Sequence, residues 1–354
     1  MKPSSLLLNN KSFSYEQIRN GKYKTSTLFE ECTLLFCHQW LNGQEVFEQK
    51  TSGSTGKPKL IKISRPQMKL SAQLTIGALG LQANDTALVC IDTAYIGGKM
   101  MLVRAFEHNL NLIINEPLSN PLENITVPID FIAMVPMQFE NSLNNHPKKI
   151  ANCKAIIIGG APINHSLAEK IALLKTPIFS TYGMTETVSH IALKRLSHPR
   201  EKHFTTLDDV KIATNNHEQL IINGAITNHK ELLTNDRVTL LSPTTFNWLG
   251  RIDNVVNSGG VKIQLEEVES LIEIYFNKIN LNSRFFLYGV SDSYLGQKLV
   301  LCIESKNIII PANTINSPSI GINKLSCPKD IIYIKKFIDT SSGKIDRTES
   351  YKNR

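Results

Sequence analysis

What the chain lacks narrows its function first. Its six cysteines, Cys32, Cys37, Cys90, Cys153, Cys302 and Cys327, are scattered without a C-x-x-C pair. Free thiols are therefore expected, with no structural zinc, and several of them fall in apolar segments where Cys behaves as a small hydrophobe. No apolar run approaches the roughly 18 residues a membrane span needs, and Leu6-Leu7-Leu8 is too short for the core of a signal peptide. A cytoplasmic protein without stable membrane insertion is expected. The 39 Lys and Arg outnumber the 31 Asp and Glu, for a net charge of +8, but form no basic block. With no interleaved aromatic motif either, a nucleic-acid partner is not expected. A mild positive field would instead attract small anions. Catalytic triads, HExxH zinc sites, paired glycosidase carboxylates, internal repeats and low-complexity tracts are all missing.

What is present is a chain of 354 residues, 42% hydrophobic and 20% charged, ordinary for one large globular domain or two smaller ones. Residues 51–60, TSGSTGKPKL, crowd glycines, hydroxyls and lysines together. They do not form a P-loop: the glycine spacing is wrong, and Lys57 precedes Pro58, where that motif needs Ser or Thr. The alternation of Lys59-Leu60-Ile61-Lys62-Ile63 predicts a strand, as does EVFEQK at 45–50. The segment reads as a β-hairpin whose loosened tip could wrap a polyphosphate, the alternative being a flexible surface turn.

A helix is predicted over 26–40, and another capped by Ser64 with Pro66 in its first turn. Strands at 87–91, 110–114, 131–135, 155–158 and 178–180 then intersperse with helices at 98–108, 137–144 and 164–174. That pattern predicts an α/β fold with a parallel-rich sheet covered on both faces, whose ligands bind beyond the carboxyl ends of the strands. Two of those ends are chemically loaded, with GGAP at 159–162 and TYGMTE at 181–186. Past about residue 200 the pattern turns to short strands, a helix at 265–276, and strands near 284–290, 297–304 and 331–337. The expected division is a large N-terminal domain, 1–249, and a small mobile α+β C-terminal domain, 250–354.

TSGSTGKPK, GGAP, STYGMTET, the Asp of TNDRV, LGRIDNVVNSGGVKI with EEVE, and SSGKIDR follow one another in that order. In this succession the chain, from about residue 48 to 347, resembles the adenylate-forming enzymes of the acyl-CoA synthetase and luciferase superfamily. YGMTET followed by Val188-Ser189-His190-Ile191, together with YIGGKMMLVRAF, is most similar to the o-succinylbenzoate-CoA ligases of menaquinone biosynthesis in a short form. The chain departs from the family in lacking most of the N-terminal subdomain of longer members, in TND where TGD is usual, and in GGVK where GGEN is common.

The resemblance implies an AMP-forming ligase that uses ATP, Mg2+ and CoA on a small carboxylic acid, with a homodimer as a candidate assembly. It implies that Thr51, Ser52, Gly53, Ser54, Thr55, Gly56 and Lys57 grip the β- and γ-phosphates, that Thr185 contacts the α-phosphate, and that Glu186 holds magnesium. Tyr182, Gly160 and Ala161 would sandwich adenine, Gly183 would also bind the cofactor, Asp236 would take the ribose hydroxyls, and Arg251 would touch ribose and phosphate. Asp253 would be the hinge, Gly259 and Gly260 would line a pantetheine tunnel, and Lys344 would be the catalytic lysine. Lys99, Ser189 and His190 are candidates for a second substrate carboxylate. The bland alternatives are a solvated Glu186, Lys99 or Lys344, a core Tyr182 and a hydrogen-bonded core His190. The rival functions are another acyl or aryl ligase, an amino-acid-adenylating enzyme, and a non-catalytic nucleotide- or acyl-binding protein.

Overall fold

A computed structural model of the chain describes residues 3–50, 59–305, 321–322, 326–340 and 345–354. Its centre is a mixed sheet of 13 strands. Ser5–Leu8, Asn111–Ile114, Thr86–Val89, Phe131–Met134, Ala155–Ile158 and Ile178–Gly183 lie side by side and parallel. Beyond Ile178–Gly183 every pairing is antiparallel, through His190–Arg195, Phe204–Thr206, Thr245–Arg251, Leu232–Ser242, Gln219–Asn223 and Lys211–Thr214. Ile178–Gly183 is therefore the seam of the sheet.

Both faces of the parallel part are covered, and the two-residue period of a strand divides its side chains between them. Ala155 and Ile157 join a core with Trp40, Met68 and Met100, whereas Ile156 and Ile158 join another with Phe139 and Leu167. The helix Arg65–Leu79 starts where the sequence predicts, because the Ser64 hydroxyl accepts from Gln67 N while Gln67 returns a bond to Ser64 N. Such a cap contributes about 1 kcal/mol. Val46–Lys50 and Leu60–Ser64 pair as the predicted hairpin.

Three features differ from the sequence expectation. Leu6-Leu7-Leu8 belongs to a strand, since Leu7 and Leu8 pair with Ile113 and Ile114. The strand expected at 178–180 runs on to Gly183, because His190–Arg195 folds back along it. The short strands between Phe204 and Arg251 extend the large sheet rather than opening a new one.

From Val255 the strands form a separate five-stranded sheet, and the two apolar clusters there are built from Val256 onward. The helix Leu265–Lys278 reaches back to the large sheet: Gln264 donates to Arg251 O at 2.9 Å and accepts from Arg237 Nη1 at 2.9 Å. Cys32, Cys37, Cys90, Cys153 and Cys302 are free thiols, and burial pushes Cys90 up to about 12, so it stays protonated. Among the described residues, no helix is long and apolar enough to cross a membrane.

Candidate active site

The seam strand gathers the chemistry. Tyr182 is buried edge-on against Phe246, with centroids 5.2 Å apart, and beside Phe204 at 5.9 Å. Its hydroxyl donates to Asp236 Oδ2 at 2.7 Å, and the Trp248 indole N–H donates to Asp236 Oδ1 at 3.0 Å. Burial, followed by the charge of Asp236, raises the Tyr182 phenol well above its usual value, so it remains a donor. Asp236 itself is 7% exposed and its backbone N–H bonds Thr234 Oγ1 at 3.1 Å. Arg251 pairs across the strands with Asp236, but its guanidinium grips Asp253 in a fork of 2.9 and 2.7 Å. Gly160 and Ala161 lie in the exposed loop beyond Ile158, next to the seam strand, where the Thr181 hydroxyl donates to Ile158 O at 3.3 Å.

Thr185 and Glu186 occupy the short helical turn Thr185–Thr187 just past the strand. Glu186 is exposed and shares a cavity of about 190 Å3 with Gln67, Thr227, Asn228, Lys230, Glu231 and Leu232. Carboxylate, hydroxyl and amide oxygens beside a lysine suit phosphates accompanied by a hard cation. Mg2+ takes one or two protein carboxylates and completes its shell with phosphate and water oxygens, so this donor set fits it. Among the described residues, no cluster of three or more His, Cys, Asp or Glu forms a metal cage.

Val188 then adopts φ 66° and ψ −50°, and Ser189 N bonds Thr187 O at 2.7 Å, a three-residue turn that is strained for a β-branched residue. Strain of this kind persists where the surroundings over-determine it. Gly183 permits the fold-back, since a Cβ there would lie 2.3 Å from Ser189 O and 2.4 Å from His190 Cα. The turn delivers Ser189 and His190 to the helix Ile96–His108.

On that helix sits a residue the sequence reading missed. Arg104 is 1% exposed and donates through Nη2 to Ser189 Oγ at 2.8 Å. Its buried Nε has no partner, and no acidic side chain pairs with it among the described residues. Burial pulls it down to about 9, so at neutral pH it is still a cation. His190 Nε2 lies 3.1 Å from Thr75 Oγ1, and Nδ1 lies 3.5 Å from Ser189 Oγ. Burial, followed by the charge of Arg104, holds this imidazole well below its usual value and therefore neutral. The signal was present in the sequence: an Arg embedded in Met100-Met101-Leu102-Val103-Arg104-Ala105-Phe106 cannot face water if its neighbours face the core.

Lys99, on the same helix, lies apart from this group and donates to Gln49 Oε1 at 2.8 Å, near the end of a hairpin strand. Burial lowers its pKa. Gly259 and Gly260, with φ of 58° and 82°, form the two-residue tip between Val255–Ser258 and Val261–Gln264. Asp253 lies in the short turn Ile252–Asn254. Thr51, Ser52, Gly53, Ser54, Thr55, Gly56, Lys57 and Lys344 lie outside the described residues.

Comparison with known proteins agrees with this architecture. A solved AMP-forming acyl-CoA synthetase/AMP-acid ligase II-like protein from Dyadobacter fermentans is 38% identical, with 94% of this chain and 97% of that one covered and a TM-score of 0.62. The 2-succinylbenzoate–CoA ligase of Listeria innocua is 25% identical across 95% of this chain and 74% of its own length. O-succinylbenzoate coenzyme A synthetase from Bacillus subtilis, solved with ATP and magnesium, shares the fold at a TM-score of 0.74 and 20% identity, with 86% of this chain and 69% of that one covered. The AMP-binding enzyme family matches residues 46–223, and with half of its length inside that match, the chain belongs to the AMP-binding enzymes.

Proposed function

We propose that the protein is an AMP-forming acid-CoA ligase and that its acid is a dicarboxylate, o-succinylbenzoate being the best candidate. The observation that carries the choice of acid is Arg104: a buried guanidinium with one neutral hydroxyl partner is costly unless an anion completes it. Ser189, only partly buried, is the side from which that anion reaches it. The reacting carboxylate of such a substrate lies toward Thr185, and its second, aromatic carboxylate takes the Arg104–Ser189 edge. His190, held neutral, donates or accepts a hydrogen bond there without adding charge. The names of the relatives in Listeria and Bacillus support the same acid.

In the first half-reaction the substrate carboxylate oxygen attacks the α-phosphorus of ATP, the bond to the bridging oxygen breaks, and pyrophosphate leaves with the displaced electron pair. Asp236 and Tyr182 hold the nucleoside, residues 51–57 hold the β- and γ-phosphates, and Thr185 orients the α-phosphate. Glu186 would hold Mg2+, which supplies neutralisation of phosphate charge when bound. Lys344 bridges the attacking carboxylate and the α-phosphate. In the second half-reaction the CoA thiol displaces AMP from the acyl carbon after residues 250–354 turn about Asp253, carrying Gly259 and Gly260 into place.

The test is ATP- and CoA-dependent thioester formation from o-succinylbenzoate, followed by mass and compared with the analogue that lacks the aromatic carboxylate. The expected product is the o-succinylbenzoyl thioester with AMP; equal turnover of the two acids overturns the dicarboxylate assignment. Lys344→Ala is expected to reduce adenylate formation ~10²- to 10³-fold while sparing thioester formation from synthetic acyl-AMP. Equal loss of both half-reactions in rapid-quench assays would remove Lys344 from the adenylation step.

A further inference from the structure

Asp236 is held in a way that neither the family match nor the motif assigns. Its carboxylate has two bonded donors, one on each oxygen, and they come from different strands: the Tyr182 hydroxyl from Ile178–Gly183 and the Trp248 indole from Thr245–Arg251. Arg251, the neighbouring cation, is committed to Asp253. Tyr182 is buried, whereas Trp248 is 36% exposed and so borders solvent beside the carboxylate.

We propose that Trp248 is a positioning residue that makes this site selective for ribonucleotides over deoxyribonucleotides, an inference resting on Asp236 as the ribose group. An ionised carboxylate has about four acceptor positions. Tyr182 and Trp248 use one on each oxygen, which fixes the plane of the carboxylate and leaves one free on each. Two fixed acceptors side by side match the two O–H donors of a cis-diol, and a sugar lacking one hydroxyl leaves a buried acceptor unpaired. With Tyr182 alone, the carboxylate keeps its charge but turns about the Cβ–Cγ bond, so it accepts one hydroxyl nearly as well as two. The indole also makes Trp248 a reporter. The second tryptophan of the chain, Trp40, is buried against Phe36 and Phe47 in another part of the core.

The experiment is equilibrium binding of AMP, 2′-deoxy-AMP and 3′-deoxy-AMP to the full chain by calorimetry, without acid or CoA, for the wild type, Trp248→Phe and Trp248→His. The wild type is expected to prefer AMP at least ~10-fold over either deoxynucleotide, the scale of one hydrogen bond to a charged group. Trp248→Phe is expected to reduce that preference to within about 3-fold while the circular dichroism spectrum and deoxynucleotide affinity hold. Trp248→His, which restores a ring N–H, recovers part of it. A Trp248→Phe variant that keeps the wild-type ratio overturns the role of Trp248. Equal wild-type affinity for all three nucleotides instead overturns Asp236 as the ribose group, and the two failures are distinguishable because neither depends on the acid. In the wild type, AMP is also expected to change the exposed tryptophan's emission.

Discussion

Two buried charges meet the strand Ile178–Gly183 or the turn after it, Asp236 through Tyr182 and Arg104 through Ser189, and are treated in opposite ways. Asp236 meets a donor at each oxygen before any ligand arrives, while Arg104, near the turn that follows the same strand, meets one hydroxyl and leaves Nε unpaired. The first group is preorganised and contributes to holding the fold together; the second, with its buried Nε unpaired, costs the fold stability that an anionic partner would restore. Under the proposed function, the nucleoside group is thus preorganised by the fold, whereas the acid group draws on polar bonding that the fold itself leaves unmet.

The largest expected effect separates the two sites most cleanly. Arg104→Met is expected to lower kcat/KM for the dicarboxylate ~10²- to 10³-fold with the KM for ATP unchanged, as steady-state assays with each substrate varied would show; the scale is that of a charged hydrogen-bonding pair in a dry site. The same variant is expected to be more stable than the wild type by roughly 1–3 kcal/mol in urea unfolding, because an incompletely bonded buried polar group has been removed. If it proves less stable, the cation has a partner and the contrast collapses. Asp236→Asn is expected to raise the KM for ATP about 10- to 100-fold while leaving discrimination between acids alone. Ser189→Ala is expected to cost ~3- to 10-fold on the acid side only, as for a neutral hydroxyl.

The smallest effect is in pH. The folded-state pKa of His190 lies well below its ordinary 6.5, so the unfolded chain binds the proton more readily. Its contribution to stability is complete above about pH 6.5 and is lost as pH falls below that value toward the folded pKa. Urea midpoints of the wild type should therefore decline through that window more steeply than those of His190→Gln. Parallel curves would mean that the imidazole is solvated and that Arg104 does not press on it.

Much of the fold is legible in the sequence because hydrophobic period and caps are local properties. Ala155–Ile158 needs no context to be a buried strand, and Ser64 with Gln67 marks a helix start on chemistry alone. Ser189 and His190 are recognisable as candidates for a carboxylate site from their place after YGMTET. Arg104 is legible only as a buried cation among apolar neighbours; what it faces depends on which side of the helix is covered, a tertiary fact. Trp248 is hidden for the same reason: an indole in a strand tells nothing of the carboxylate across the ladder. Leu6–Leu8 is too short to read as anything until Asn111–Ile114 lies beside it.

The seam strand has one further consequence, for how this enzyme can diversify. Ile178–Gly183 carries Tyr182 to Asp236, and alternation along a strand means that an insertion or deletion within it would turn the phenol to the opposite face. Under the proposed function, changes in acid preference would fall on what lies off the ladder: the helix Ile96–His108 and residues 184–189. A new substrate would then be explored there one side chain at a time while the Tyr182–Asp236 pair is inherited intact.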